Sequence, residues 1–101
     1  MGTFQKAAKT GDIPNGSGKV IEVGGKEVAL FNEDGQFYAL DNTCPHQGGP
    51  LGDGYLEGGI VTCPWHGWQY DVKSGVNPVE SSIRTSSFRV KVEGEDILIE
   101  L

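Results

Sequence analysis

The stretch Cys44–Asp71, CPHQGGPLGDGYLEGGIVTCPWHGWQYD, holds both cysteines and both histidines of a 101-residue chain. They fall as two pairs, Cys44-Pro45-His46 and Cys63-Pro64-Trp65-His66, with 16 residues (47–62) between them. Thiolate and imidazole are the soft and borderline ligands that hold zinc, copper and iron–sulfur clusters. Singly, each side chain reads blandly: a lone His is usually a surface or satisfied core residue, and a lone Cys a small buried hydrophobe. Matched pairs read differently, because two facing loops can bring four ligands to one site. Zinc takes a Cys2His2 set, but zinc modules usually draw like ligands from each knuckle. Here each loop supplies one Cys and one His. That mixture suits two irons, each loop giving its Cys to one and its His to the other.

Outward from this stretch the chain reads as short strands between turn signals, with no convincing helix. Lys19–Val23 stops at Gly24-Gly25. Glu27–Phe31 and Gln36–Leu40 flank Asn32-Glu33-Asp34-Gly35, a strong hairpin signal. Tyr55-Leu56 and Ile60–Thr62 flank Glu57-Gly58-Gly59, and Trp68–Val72 ends at Lys73-Ser74-Gly75. Phe88, Val90 and Val92 alternate with Arg89 and Lys91, turn at Glu93–Asp96 and return as Ile97–Leu101. That pattern reads as an antiparallel hairpin with one buried face. Pro14, Asn15 and Gly16 mark an N-terminal loop. The expectation is an all-β chain, a small antiparallel barrel or sandwich. It spans residues 1–101 as one domain, with the ligand-bearing portion at about 42–79.

Composition narrows the function. Hydrophobic residues make up 37% and charged residues 22%, a globular balance. The net charge of −6 argues against nucleic acid and anionic membrane surfaces, and suits docking on a basic patch of another protein. No apolar run approaches the ~20 residues needed to cross a bilayer, and MGTFQKAAKTGDIPNG lacks the apolar core of a signal peptide. A cytoplasmic location is the default. In that reducing compartment a structural disulfide is disfavoured, and metal or redox chemistry is the better use of two cysteines.

Cys-x-His, 16 residues, then Cys-x2-His resembles the Rieske signature, with CPHQGGPLGDG similar to the first cluster-binding loop and CPWHGWQYDVKSG to the second. The remainder resembles a free-standing Rieske-type ferredoxin over nearly its full length. The resemblance implies one [2Fe–2S] cluster, with Cys44 and Cys63 on the inner iron and His46 and His66 on the outer. Gly48, Gly49 and Gly67 then let backbone approach the sulfurs closely, or are ordinary turn glycines. Pro78 resembles the proline loop that covers the cluster, or is a plain turn. Trp65 is either the apolar centre of a docking patch around His46 and His66 or a core residue.

High-potential members of the family carry an extra disulfide between the loops, an N-terminal membrane helix and a Ser that donates to a cluster sulfide. This chain shows neither the spare cysteines nor the helix, and Trp68 stands at the Ser position, while Tyr70 matches their aromatic hydroxyl. A potential near the low end of the Rieske range follows, roughly −150 mV. Catalytic relatives add a mononuclear iron held by two further His, and a flavin or nicotinamide would bring a Gly-x-Gly-x-x-Gly fingerprint; neither is present. The expected role is that of a monomeric one-electron carrier, not an enzyme, between a flavoprotein reductase and a terminal oxygenase. The other reading is the small Rieske subunit of an assimilatory nitrite reductase, held by its large subunit. A zinc-stabilised interaction domain is the third.

Overall fold

Val28-Ala29-Leu30-Phe31 is apolar at four successive positions, which in a strand means that both faces are covered. In the computed structural model, which describes residues 3–43, 49–65 and 67–101, this run is the middle of β3 (Lys26–Glu33), and all four side chains are fully buried. β3 pairs antiparallel with β2 (Ser17–Val23) on one side and β4 (Gln36–Asp41) on the other. β4 then pairs briefly with β8 (Ser87–Phe88) to complete a four-stranded sheet. The β3–β4 turn is Asp34-Gly35, both at positive φ, the mirror-image turn that matches strand twist.

Alternation along β3 sends its side chains into two cores. Val28 and Leu30 face Ile97, Ile99, Val23, Ala39, Ala8 and Ile13. Ala8, Ile97 and Ile99 come from a second sheet, β1 (Phe4–Lys9), β10 (Asp96–Glu100) and β9 (Val90–Glu93), with β10 in the centre. Ala29 and Phe31 face Leu40, Leu51, Val61, Cys63, Tyr70 and Val72. That second core is roofed by a third sheet, β5 (Tyr55–Glu57), β6 (Ile60–Thr62) and β7 (Gln69–Asp71), and by a 3-10 turn over Leu51–Asp53. The architecture is all-β and antiparallel. The β5–β7 sheet forms a separate small layer; the segment from Cys63 to Trp68 joins β6 to β7, whereas the segment bearing Cys44 and His46 follows β4.

Two local expectations need correction, and β1 is an added strand whose residues Phe4–Lys9 show no clear period in the sequence. Trp68 and Val72 flank β7 and do not belong to it. The 88–92 alternation does not present one buried face: Phe88 and Val90 are half-buried and Val92 is 46% exposed. The burial in that hairpin belongs to its partners Ile97 and Ile99.

Candidate metal centre

The first loop springs from the end of β4 and is closed at its feet. Asn42, nearly fully buried, accepts a hydrogen bond from Leu51 N–H on its backbone carbonyl and one from Gly52 N–H on Oδ1, both at 2.8 Å. Thr43 is bridged antiparallel to Pro50. Leu51 is sunk in the second core, so the returning foot is anchored by burial as well as by hydrogen bonds. Neither Asn42 nor Leu51 was singled out from the sequence. The available signal was an Asn at a strand end, a residue whose side chain bonds nearby backbone.

The second loop is the tip of the β6–β7 hairpin, whose last ladder pair is Thr62 with Gln69. Cys63 N–H donates to the Trp68 carbonyl at 2.7 Å, and Gly67 N–H donates to the Cys63 carbonyl at 3.0 Å, with Gly67 at φ +74°. This tight knuckle leaves Cys63 1% exposed, packed in the same core as the fully buried Tyr70. Cys44, His46, Gly48 and His66 lie outside the described residues. Of the four ligand candidates, the structure therefore places Cys63 alone.

The loops meet at Gly49. A Cβ added there would lie 2.8 Å from Cys63 Sγ and 3.0 Å from Trp65 Cγ. Gly49 is not in the left-handed region, so space and not backbone strain requires glycine. Gly49 lies three residues after His46 in the first loop and touches the Cys of the second, so the two loops do converge. A buried thiol at a loop tip, with glycine backbone against its sulfur, fits a thiolate ligand of an iron–sulfur cluster.

Beside the second loop, residues 77–83 form a self-bonded turn. Asn77 Oδ1 accepts from Val79 and Glu80 N–H, both at 2.9 Å, and Asn77 N–H donates to the Ile83 carbonyl at 2.9 Å. The Ser82 hydroxyl and N–H both donate to Glu80 Oε1, and these bonds hold the Glu80 carboxyl below its ordinary range. A groove of about 310 Å3 separates this turn from the second loop and is lined by Trp68, Val79 and Ile83, among others. Pro78 is exposed on the turn. The proline segment thus flanks the second loop.

The Rieske [2Fe-2S] domain family matches residues 3–89, and the chain belongs to that family. It is 40% identical over 93 residues to the ferredoxin component of the naphthalene 1,2-dioxygenase system of Pseudomonas aeruginosa, covering 89% of this chain and 88% of that one. The ferredoxin of carbazole 1,9a-dioxygenase from Nocardioides aromaticivorans has the same fold, at 25% identity and a TM-score of 0.88 over 96% of both chains. A solved complex of reduced oxygenase and oxidised ferredoxin in carbazole 1,9a-dioxygenase contains a chain 26% identical, with a TM-score of 0.85 over 96% of this chain and 92% of that one. The protein is an electron-transfer component of the ferredoxin type and not itself a catalyst, with one [2Fe–2S] cluster as its cofactor.

Proposed function

We propose that this chain carries single electrons from a flavoprotein reductase to a terminal oxygenase, as a cytoplasmic monomer whose residues 1–101 form one domain. Cys44, His46, Cys63 and His66 hold the cluster, which takes up and releases one electron. The observation that carries the reading is near full-length similarity, at 40% identity, to the ferredoxin component of an oxygenase system. The convergence of the two loops at Gly49 and Cys63 supports the ligand assignment. Trp65, 58% exposed beside His66 in sequence, and Val79, 92% exposed, supply apolar contact area at that end. A weak, short-lived complex through a small patch follows.

Spectroscopy on protein made under iron-replete conditions tests the ligands. A coloured protein with a rhombic EPR signal on reduction is expected, and alanine at any of Cys44, His46, Cys63 or His66 should abolish the signal. A colourless, EPR-silent parent points to zinc and overturns the proposal. Size-exclusion chromatography should give a monomer. Stable co-purification with a large sirohaem protein would replace the carrier by the nitrite reductase subunit.

A further inference from the structure

Cys63 is 1% exposed although Pro64, Trp65 and Gly67 around it are all exposed. The second core covers it on one side; on the other side its cover is what closes the loop tip. The missing side chain of Gly49 marks that closure, because a Cβ there would strike both Cys63 Sγ, at 2.8 Å, and the Trp65 ring, at 3.0 and 3.2 Å. Thiol and indole both close on Gly49 and leave no room there for a side chain. The indole is more than half exposed on its other side.

We propose that Trp65 is the solvent shield of the cysteine side of the cluster, seated by Gly49, and that through this shield the chain keeps its reduction potential low. The proposal rests on Cys63 being a ligand. The apolar shell around a metal site governs water access, and with it the potential. Uptake of an electron makes the site more negative, and excluding water disfavours the more charged form. Removing the indole admits water and favours that form, so the potential rises. Gly49 acts through Trp65. The sulfur is wedged among core residues that include Val61 and Tyr70, whereas the ring has solvent behind it, so an added methyl displaces the ring. Trp65 is thus a positioning and shielding residue, whatever further contact it makes with a partner.

Voltammetry on the reconstituted holoprotein, with EPR and the rate of iron loss to EDTA in air, separates the cases. Trp65→Ala should raise the midpoint potential and accelerate iron loss about tenfold. Trp65→Phe should stay close to the parent on both readouts. Gly49→Ala should reproduce Trp65→Ala, and the double variant should shift no further than the larger single one, since both remove the same cover. A Trp65→Ala midpoint equal to the parent's, with the rhombic signal intact, overturns the shield alone; so do additive shifts in the double variant. A parent with no rhombic signal overturns the ligation on which the shield depends. Where Gly49→Ala fails to fold, the Trp65 pair decides by itself.

Discussion

At the scale of single residues, two side chains near the second loop make separable predictions. Trp68 packs on the second core and lines the groove to the proline turn, and by the motif resemblance it takes the place of the Ser of high-potential members. Trp68→Ser should therefore do two things. It should raise the midpoint from the low end of the range, roughly −150 mV, by supplying a donor near sulfur. It should also lower stability by about 2–3 kcal/mol, below the usual cost of deleting a fully buried Trp because this one is half-buried. Voltammetry and urea denaturation read the two effects, and a midpoint that stays at the parent's value while stability falls would rule out the donor argument. Glu80 gives the pH-dependent case. The Ser82 hydroxyl, then its N–H, hold the Glu80 carboxyl below its ordinary value of 4.5. A carboxylate with a depressed folded pKa contributes stability above its unfolded pKa and loses that contribution as pH falls through the folded one. The proline turn should accordingly loosen only below the ordinary carboxylate range. Ser82→Ala should return the Glu80 titration, followed by carboxyl-carbon NMR, upward toward 4.5. Because Glu80 is fully exposed, global stability at neutral pH should not respond.

At the scale of elements, β3 is a wall shared by two cores, and damage to each core should be told apart. Ile99 is fully buried in the core between β3 and the β1–β10–β9 sheet. Ile99→Ala should cost about 2–5 kcal/mol in urea denaturation and leave the EPR line shape of the folded protein unchanged. Leu51 is equally buried, but in the core that anchors the foot of the first loop. Leu51→Ala should cost a similar amount, about 2–5 kcal/mol, and also speed cluster loss. If both variants lost their clusters at the parent's rate, the two-core division would have no functional meaning. The same division explains which elements are legible in the chain. The β3–β4 hairpin announces itself through Asp34-Gly35 between apolar runs, and the two candidate ligand loops through their mixed Cys and His. β1 does not, because its pairing with β10 shifts register between Lys6 and Ala8; the bulge breaks the period of two that reveals a strand. Val92 misleads for the opposite reason. It keeps perfect alternation opposite Ile97, yet lies where the sheet runs out into solvent, 46% exposed. The clamp of Asn42 on Leu51 and Gly52 is a contact across about ten residues of loop, set by tertiary geometry that no local pattern encodes.

At the scale of the whole molecule, charge is segregated in a way that bears on docking. All eight Lys and Arg lie outside residues 42–72, whereas Asp53, Glu57 and Asp71 lie within them. The segment bearing the proposed ligands and the apolar Trp65 therefore carries −3 of the chain's net −6 with no counter-charge of its own. Many cations of the rest sit beside acidic groups: Lys6 with Asp96, Lys26 with Asp41, Arg89 with Glu100 and Lys91 with Glu93, at 3.1 to 3.9 Å. The other 70 residues carry the remaining −3, but there 11 acidic groups are mixed with all eight cations, so the negative charge is denser and unmixed in the segment 42–72, and it should orient the molecule toward a basic partner before contact. Steering of this kind speeds association by roughly 10- to 1,000-fold and collapses as salt shortens the Debye length to about 8 Å near 0.15 M. Stopped-flow transfer to a terminal oxygenase should slow steeply with ionic strength. Replacing both Asp53 and Glu57 by Lys should slow second-order transfer at low salt by about tenfold or more, leave the midpoint potential in place and flatten the salt dependence. The same two charge reversals at Glu93, the last residue of β9, and Glu95, in the turn that follows, change net charge equally but lie outside the acidic segment. If both pairs slowed transfer alike, net charge would be the operative quantity. If only the Asp53–Glu57 pair did, the field of the cluster-bearing end selects the orientation in which electrons pass.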